Sequence, residues 1–115
     1  MAHVIKVIDG DSIEVEKDGQ SIEVRYIGIN APEYHSEEKQ EAETAKWKNF
    51  NLVMGKTIWM VKDVRDKDQY GRLLRFVFVG QKFVNLELVK QGAARVQDYP
   101  PDISCQALFR QNMSD

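Results

Sequence analysis

Cysteine, histidine and long apolar runs are scarce in this chain, and each shortage removes a class of protein. Cys105 is the only cysteine, so no intrachain disulfide staples the fold and a hydrophobic core must hold it. His3 and His35 are the only histidines. Without a His/Cys cluster a zinc site is not expected, and both histidines read as incidental. No segment approaches the apolar length of a membrane span. Positive charge is also in short supply: the formal charge of −2 argues against binding a polyanion by bulk field. Internal repeats, low-complexity tracts and linkers are missing too. Met1 leads directly into a strand-like run with no signal peptide. The expected location is the cytoplasm, or the exterior or cell envelope if a signal peptide has been removed.

What is present fits one domain over residues 1–115. That is long enough to bury roughly two-thirds of the surface of its unfolded chain, and the hydrophobic content of 43% is ordinary for a globular protein. Charge is unevenly spread. Residues 1–43 carry eleven acids and four bases, net −7, and residues 44–115 carry seven acids and twelve bases, net +5. An acidic half suits a cation and a basic half suits a polyanion, although solvated faces of either sign give the same count.

The first 29 residues read as three strands. His3–Ile8 is β-branched and apolar, and Ser12–Glu16 alternates, with Ile13 and Val15 inward and Ser12, Glu14 and Glu16 outward. Lys17-Asp18-Gly19-Gln20 is a hairpin signal, because both central residues accept positive φ. Strand three spans Ser21–Ile29, with Arg25 facing away from Ile22 and Val24. A helix follows over Glu37–Met54, with Ser36 as N-cap, Glu37 and Glu38 at its positive end and Gly55 just past it. Ala42, Ala45, Phe50, Leu52 and Val53 form its apolar arc. Strand four is Thr57–Val64, the polar turn Asp66–Arg72, strand five Leu73–Val79, and a short helix spans Val84–Gln91. Pro100-Pro101-Asp102 starts a short last helix with Asp102 as N-cap. This order predicts a mainly β, α+β fold: a five-stranded OB-fold Greek-key barrel with a helix after strand three.

Three stretches carry chemistry. Asp9-Gly10-Asp11 reads either as an ordinary turn or as a bend aiming the Asp11 carboxylate into a cleft, where Asp11, the Asn30 side-chain oxygen and the Ala31 carbonyl would give a hard cation its oxygen ligands. Val24 through Glu33 places Arg25 on a strand and Glu33 just after Pro32. A fixed carboxylate there can accept a proton from water or orient it, whereas a solvated acid is the ordinary reading. Arg25 could equally pair with Glu23 or Glu14 on the sheet surface. Asp68-Gln69-Tyr70-Gly71-Arg72 sets an aromatic platform beside a forked donor, a pairing suited to a base and its phosphate.

With these motifs in order over residues 4–99, and with Val84-Asn85-Leu86-Glu87-Leu88-Val89-Lys90-Gln91-Gly92 behind them, the chain resembles the staphylococcal (micrococcal) nuclease-like family. The resemblance implies a Ca2+-dependent phosphodiesterase on an OB barrel. It would cut DNA and RNA with little sequence preference, leaving 3′-phosphate ends; the expected partners are single-stranded or frayed nucleic acid, with the chain acting as a monomer. Arg25 and Arg72 match the family's two catalytic arginines, Glu33 its catalytic carboxylate and Asp11 a calcium ligand; Tyr70, Asp68 and Tyr99 fall to substrate binding. Asn30 stands where the best-known member has a calcium-ligating aspartate, and Ala31 where it has a threonine. Gln69 replaces a lysine, and the C-terminal segment is short. The rival expectation is a catalytically weak or inactive OB module that binds single-stranded nucleic acid, with Trp59, Tyr70, Phe76 and Phe78 as stacking surfaces.

Overall fold

The computed structural model describes residues 1–33 and 37–113. The Ser36 cap and His35 lie outside the described residues. The elements are β1 (Ala2–Asp9), β2 (Ser12–Lys17), β3 (Gln20–Tyr26), β4 (Ile29–Asn30), α1 (Lys39–Val53), β5 (Thr57–Val61), β6 (Leu73–Val79), β7 (Lys82–Phe83), α2 (Val84–Lys90), β8 (Arg95–Val96) and α3 (Gln106–Gln111).

Strands run in the order β3-β2-β1-β5-β6-β7, and β3 also pairs with β6. That last pairing closes five strands into the expected barrel. The β2–β3 turn forms as the sequence requires, with Asp18 at φ 53° and Gly19 at φ 78°. The closing seam matters most for position. It is parallel, with Val24 opposite Leu73 and Arg25 opposite Leu74, so Arg25 on β3 comes alongside Arg72 at the foot of β6. Val4, Ile13, Val15, Val24, Ile58, Val77 and Leu88 fill the interior. Among the described residues no helix is long and apolar enough to cross a membrane.

Several boundaries differ from expectation, each for a visible reason. Strand three stops at Tyr26 because Gly28 turns at φ +81°; a side chain there would strike Gln106 and Phe109. Ile29 and Asn30 then form their own short pairing with Val96 and Arg95. Strand four ends at Val61 because the amides of Val64 and Arg65 both turn to Asp102 Oδ1, each at 2.9 Å. Asp102 is therefore not a helix cap: α3 begins only at Gln106, after Cys105, and Cys105 packs against the core as a partly buried side chain. Helix α1 starts at Lys39, leaving Glu37 and Glu38 ahead of it. On its inner face Asn49 is buried where Phe50 was expected, because Asn49 accepts the Tyr26 hydroxyl at 2.7 Å and donates to the Asp9 carbonyl at 2.9 Å. Phe50 instead meets Trp47 edge-on at the surface. Ser12, expected outward, is buried because its hydroxyl donates to Asp9 Oδ1 at 2.7 Å.

Candidate active site

At the β1–β2 corner, Asp9 Oδ1 accepts the Asp11 amide at 3.1 Å as well as the Ser12 hydroxyl. Gly10 is compelled by packing, since a Cβ would lie 2.7 Å from Ala45 Cβ and 2.8 Å from Ala31 Cβ. Helix α1 and the chain after β4 thus press directly on this bend. Asp11 faces inward, where its Oδ2 accepts the Ala31 amide at 2.8 Å and lies 3.3 Å from Arg25 Nη2.

Arg25 does not pair with Glu23 or Glu14. Its Nη1 donates to the Tyr26 carbonyl at 2.7 Å, its Nη2 reaches Asn30 Oδ1 at 3.4 Å, and its guanidinium carbon stands 5.8 Å from the centre of the Tyr99 ring. Asn30 is held in turn by the β4–β8 pairing.

The loop before β6 builds a second arginine site from its own residues. Asp68 Oδ1 accepts the amides of Tyr70 and Arg72 at 2.9 and 3.0 Å, and Oδ2 accepts Arg72 Nε at 2.7 Å. Gly71, at φ +81°, allows the tight return. Tyr70 is 75% exposed and its ring centre is 5.5 Å from the Arg72 guanidinium carbon.

Both groups open into one cavity of about 540 Å³. Asp11, Arg25, Asn30, Ala31, Glu33, Asp68, Tyr70, Arg72 and Tyr99 all line it, so every site residue singled out in the sequence reaches the same space. Two more lining residues lie outside the site expected from the sequence: Arg65 gives no signal there, and Asp102 reads as a helix cap. They meet only because the segment after β8 folds back on the β5–β6 loop, a contact across 37 positions. Of the four aromatics considered for stacking, Phe76 and Phe78 belong to the core, while Trp59 and Tyr70 are exposed.

The electrostatics separate the two groups. Burial pushes the Asp11 carboxyl up to about 7 against the pull of Arg25, and neighbouring Asp9 adds to the rise. Asp9 itself stays below the usual carboxylate range: burial opposes this, but hydrogen bonds from Asp11 and Ser12 prevail. Two carboxyls within hydrogen-bonding reach of each other create a local demand for positive charge. Asp11 and the amide oxygen of Asn30 are hard donors and fit such a cation. They supply few protein ligands, and among the described residues no three His, Cys, Asp or Glu side chains cluster. A cation held there would take the rest of its shell from water.

Residues 23–112 match the staphylococcal nuclease homologue family. The chain is 36% identical over 111 residues to a thermonuclease of Staphylococcus intermedius and 35% identical over 112 residues to one of Staphylococcus hyicus. Each match covers 94% of this chain and 66% of the relative. It is also 38% identical over 95 residues to the endonuclease YncB of Bacillus subtilis (strain 168), covering 79% of this chain and 45% of that protein. The chain thus spans two-thirds or less of these relatives' length. With the closed barrel and the match over most of its residues, the chain belongs to the staphylococcal nuclease homologue family.

Proposed function

We propose that this chain is a calcium-dependent nuclease that hydrolyses phosphodiester bonds of DNA and RNA with low sequence specificity, leaving 3′-phosphate ends. The observation that carries the reading is the convergence of Arg25, Arg72 and Glu33 on one open cavity from three separate elements. A binding module needs the arginines but has no use for a carboxylate set among them. The names of the relatives, thermonuclease and endonuclease, support the same class of chemistry.

In this reading the two guanidiniums grip the non-bridging oxygens of the scissile phosphate. Their hold strengthens as negative charge grows on five-coordinate phosphorus, where preorganised donors act most strongly. Glu33 orients a water for in-line attack or takes its proton. The water oxygen bonds to phosphorus, the bond to the 5′ oxygen breaks, and that oxygen leaves with a proton as an alcohol. Asp68 keeps the Arg72 fork aimed, while Tyr70 and Tyr99 offer ring faces to bases. Such stacking needs unpaired bases, so single-stranded or frayed substrate is preferred. Asp11, Asn30 and the Ala31 carbonyl would hold Ca2+, which when bound polarises a phosphoryl oxygen.

Incubation of single-stranded DNA and RNA with calcium or with EGTA tests the reading. Cleavage only with calcium is expected. A mobility shift without cleavage in either buffer would favour a nucleic-acid-binding module instead. Asn30 is the residue that favours this second reading, because an amide brings no negative charge to the cation.

A further inference from the structure

The β5–β6 loop contains the same arginine clamp twice. In the first, Asp68 takes two backbone amides on Oδ1 and Arg72 Nε on Oδ2. In the second, Asp102 takes the Val64 and Arg65 amides on Oδ1, both at 2.9 Å, and Arg65 Nε on Oδ2 at 2.5 Å. The atoms correspond one for one, although the second aspartate comes from a distant segment. Among the ion pairs of the described residues only these two engage the arginine through Nε; those of Arg25, Arg75, Arg95 and Arg110 go through an Nη.

That difference has a chemical meaning. A guanidinium held by Nε is fixed at its inner edge and turns its Nη tips outward, the end that grips two oxygens of a phosphate. Arg75 shows the contrast: both its tips are occupied, by the Asp66 carboxylate and by the Asp66 and Leu74 carbonyls, and, unlike Arg25, whose tips are also engaged, it does not line the cavity. Arg65 lines it, on a side chain 41% exposed against 28% for Arg72. Its Nη2 makes one long contact to the Tyr99 carbonyl at 3.4 Å, and no hydrogen bond among the described residues occupies Nη1. The Asp102 side chain behind it is 1% exposed, an investment of buried charge that an ordinary solvated arginine would not need.

We propose that Arg65 is a third phosphate-binding arginine, gripping a phosphate of the strand next to the one that is cut. The proposal rests on the polynucleotide substrate inferred above, but not on catalysis. It gives this chain a contact with polymer that Gln69, uncharged at the same lip, does not supply. Asp102 is its positioning residue, as Asp68 is for Arg72.

The test is fluorescence anisotropy of a fluorescein-labelled oligothymidylate in EGTA, over a range of salt, for the parent, Arg65→Gln and Lys67→Gln. Lys67 lies two positions away with the same charge and does not line the cavity. Losing one phosphate contact lowers the slope of log affinity against log salt by about 0.7 on single strands. Arg65→Gln should show that loss and Lys67→Gln should keep the parental slope. Equal losses in both variants, or none in Arg65→Gln, would overturn the proposal. Arg65→Lys serves if the glutamine variant does not fold: it should keep the slope but bind several-fold more weakly without the fork, and parental affinity there would count against the grip. A parent that binds no oligonucleotide in EGTA overturns this proposal, and the substrate reading falls with it if calcium also gives no cleavage. A parent that binds with an unchanged Arg65→Gln slope removes the proposal alone.

Discussion

The two sides of the cavity solve the same problem, how to hold an arginine beside an acid, in opposite ways. At the barrel corner, Asp11 comes from the β1–β2 turn and Arg25 from β3, with side chains only 9% and 12% exposed. Burial prevails there and Asp11 is raised to about 7. In the β5–β6 loop, Arg72 and Asp68 lie four positions apart with 28% and 14% exposure. Burial also works against Asp68, but the Arg72 and Tyr70 hydrogen bonds outweigh it and hold the carboxyl below its usual range. The loop is electrostatically complete by itself, whereas the corner keeps a demand for positive charge. On the function proposed above, the corner would hold the cation and lend Arg25 to the phosphate, while the loop would grip the phosphate with Arg72.

Removing each arginine should separate the halves most sharply. Arg25→Leu and Arg72→Leu should each slow cleavage by roughly 10²–10³-fold, by analogy with the loss of an oxyanion donor. Only Arg25→Leu should also unfold easily in urea. Breaking its buried pair should cost roughly 3 kcal/mol, limited because Asp11 relieves part of the penalty by taking up a proton. Arg72→Leu should lose about 0–1 kcal/mol. Equal stability losses would erase the distinction.

Asp68→Asn keeps an acceptor for the two amides but frees Arg72 Nε, and misaiming that group should lower turnover by up to about 10²-fold. Steady-state kinetics should show the loss mainly in kcat with the melting temperature nearly unchanged. Asn49→Ala should do the reverse. It cuts the thread from Tyr26 through Asn49 to the Asp9 carbonyl beneath the corner, costing about 1–3 kcal/mol in chemical denaturation.

The smallest effect is a pH dependence. Burial tends to raise the Asp102 carboxyl, but the Arg65 and Val64 amides and the Arg65 guanidinium outweigh it and depress it. A depressed carboxyl contributes its stability above the unfolded value of about 3.9 and loses it as pH falls through the lower folded value. Asp102→Asn should therefore be less stable than the parent at neutral pH, and thermal melts should converge as the pH drops below that range.

The loop half was legible in the sequence because it is local. Asp68 through Arg72 contains the acid, the aromatic, the turn glycine and the arginine in one stretch. The hairpin at Asp18-Gly19 and the strand alternation around Ile13 and Val15 were readable for the same reason. Partners set by long-range packing left no such trace. Asp102 looks like a helix cap because a Pro-Pro-Asp string favours one locally, yet it serves Arg65 across the chain. Asn49 lies outside the apolar arc expected of α1, and the Tyr26 hydroxyl and the Asp9 carbonyl beneath the helix explain its burial. For Arg25 the sequence offers Glu23 or Glu14 as partners, and only the closed barrel brings Asp11 to it instead.

The division between the halves can be measured in one experiment: calcium titration of single-stranded DNA cleavage by the parent, Asn30→Asp and Arg72→Lys. Restoring a carboxylate at Asn30 should shift the calcium midpoint to lower concentration. Arg72→Lys should leave the midpoint in place and drop the plateau by roughly 10²–10³-fold. Arg72→Lys cleaving at the parental plateau, or an Asn30→Asp midpoint that does not move, would contradict the account.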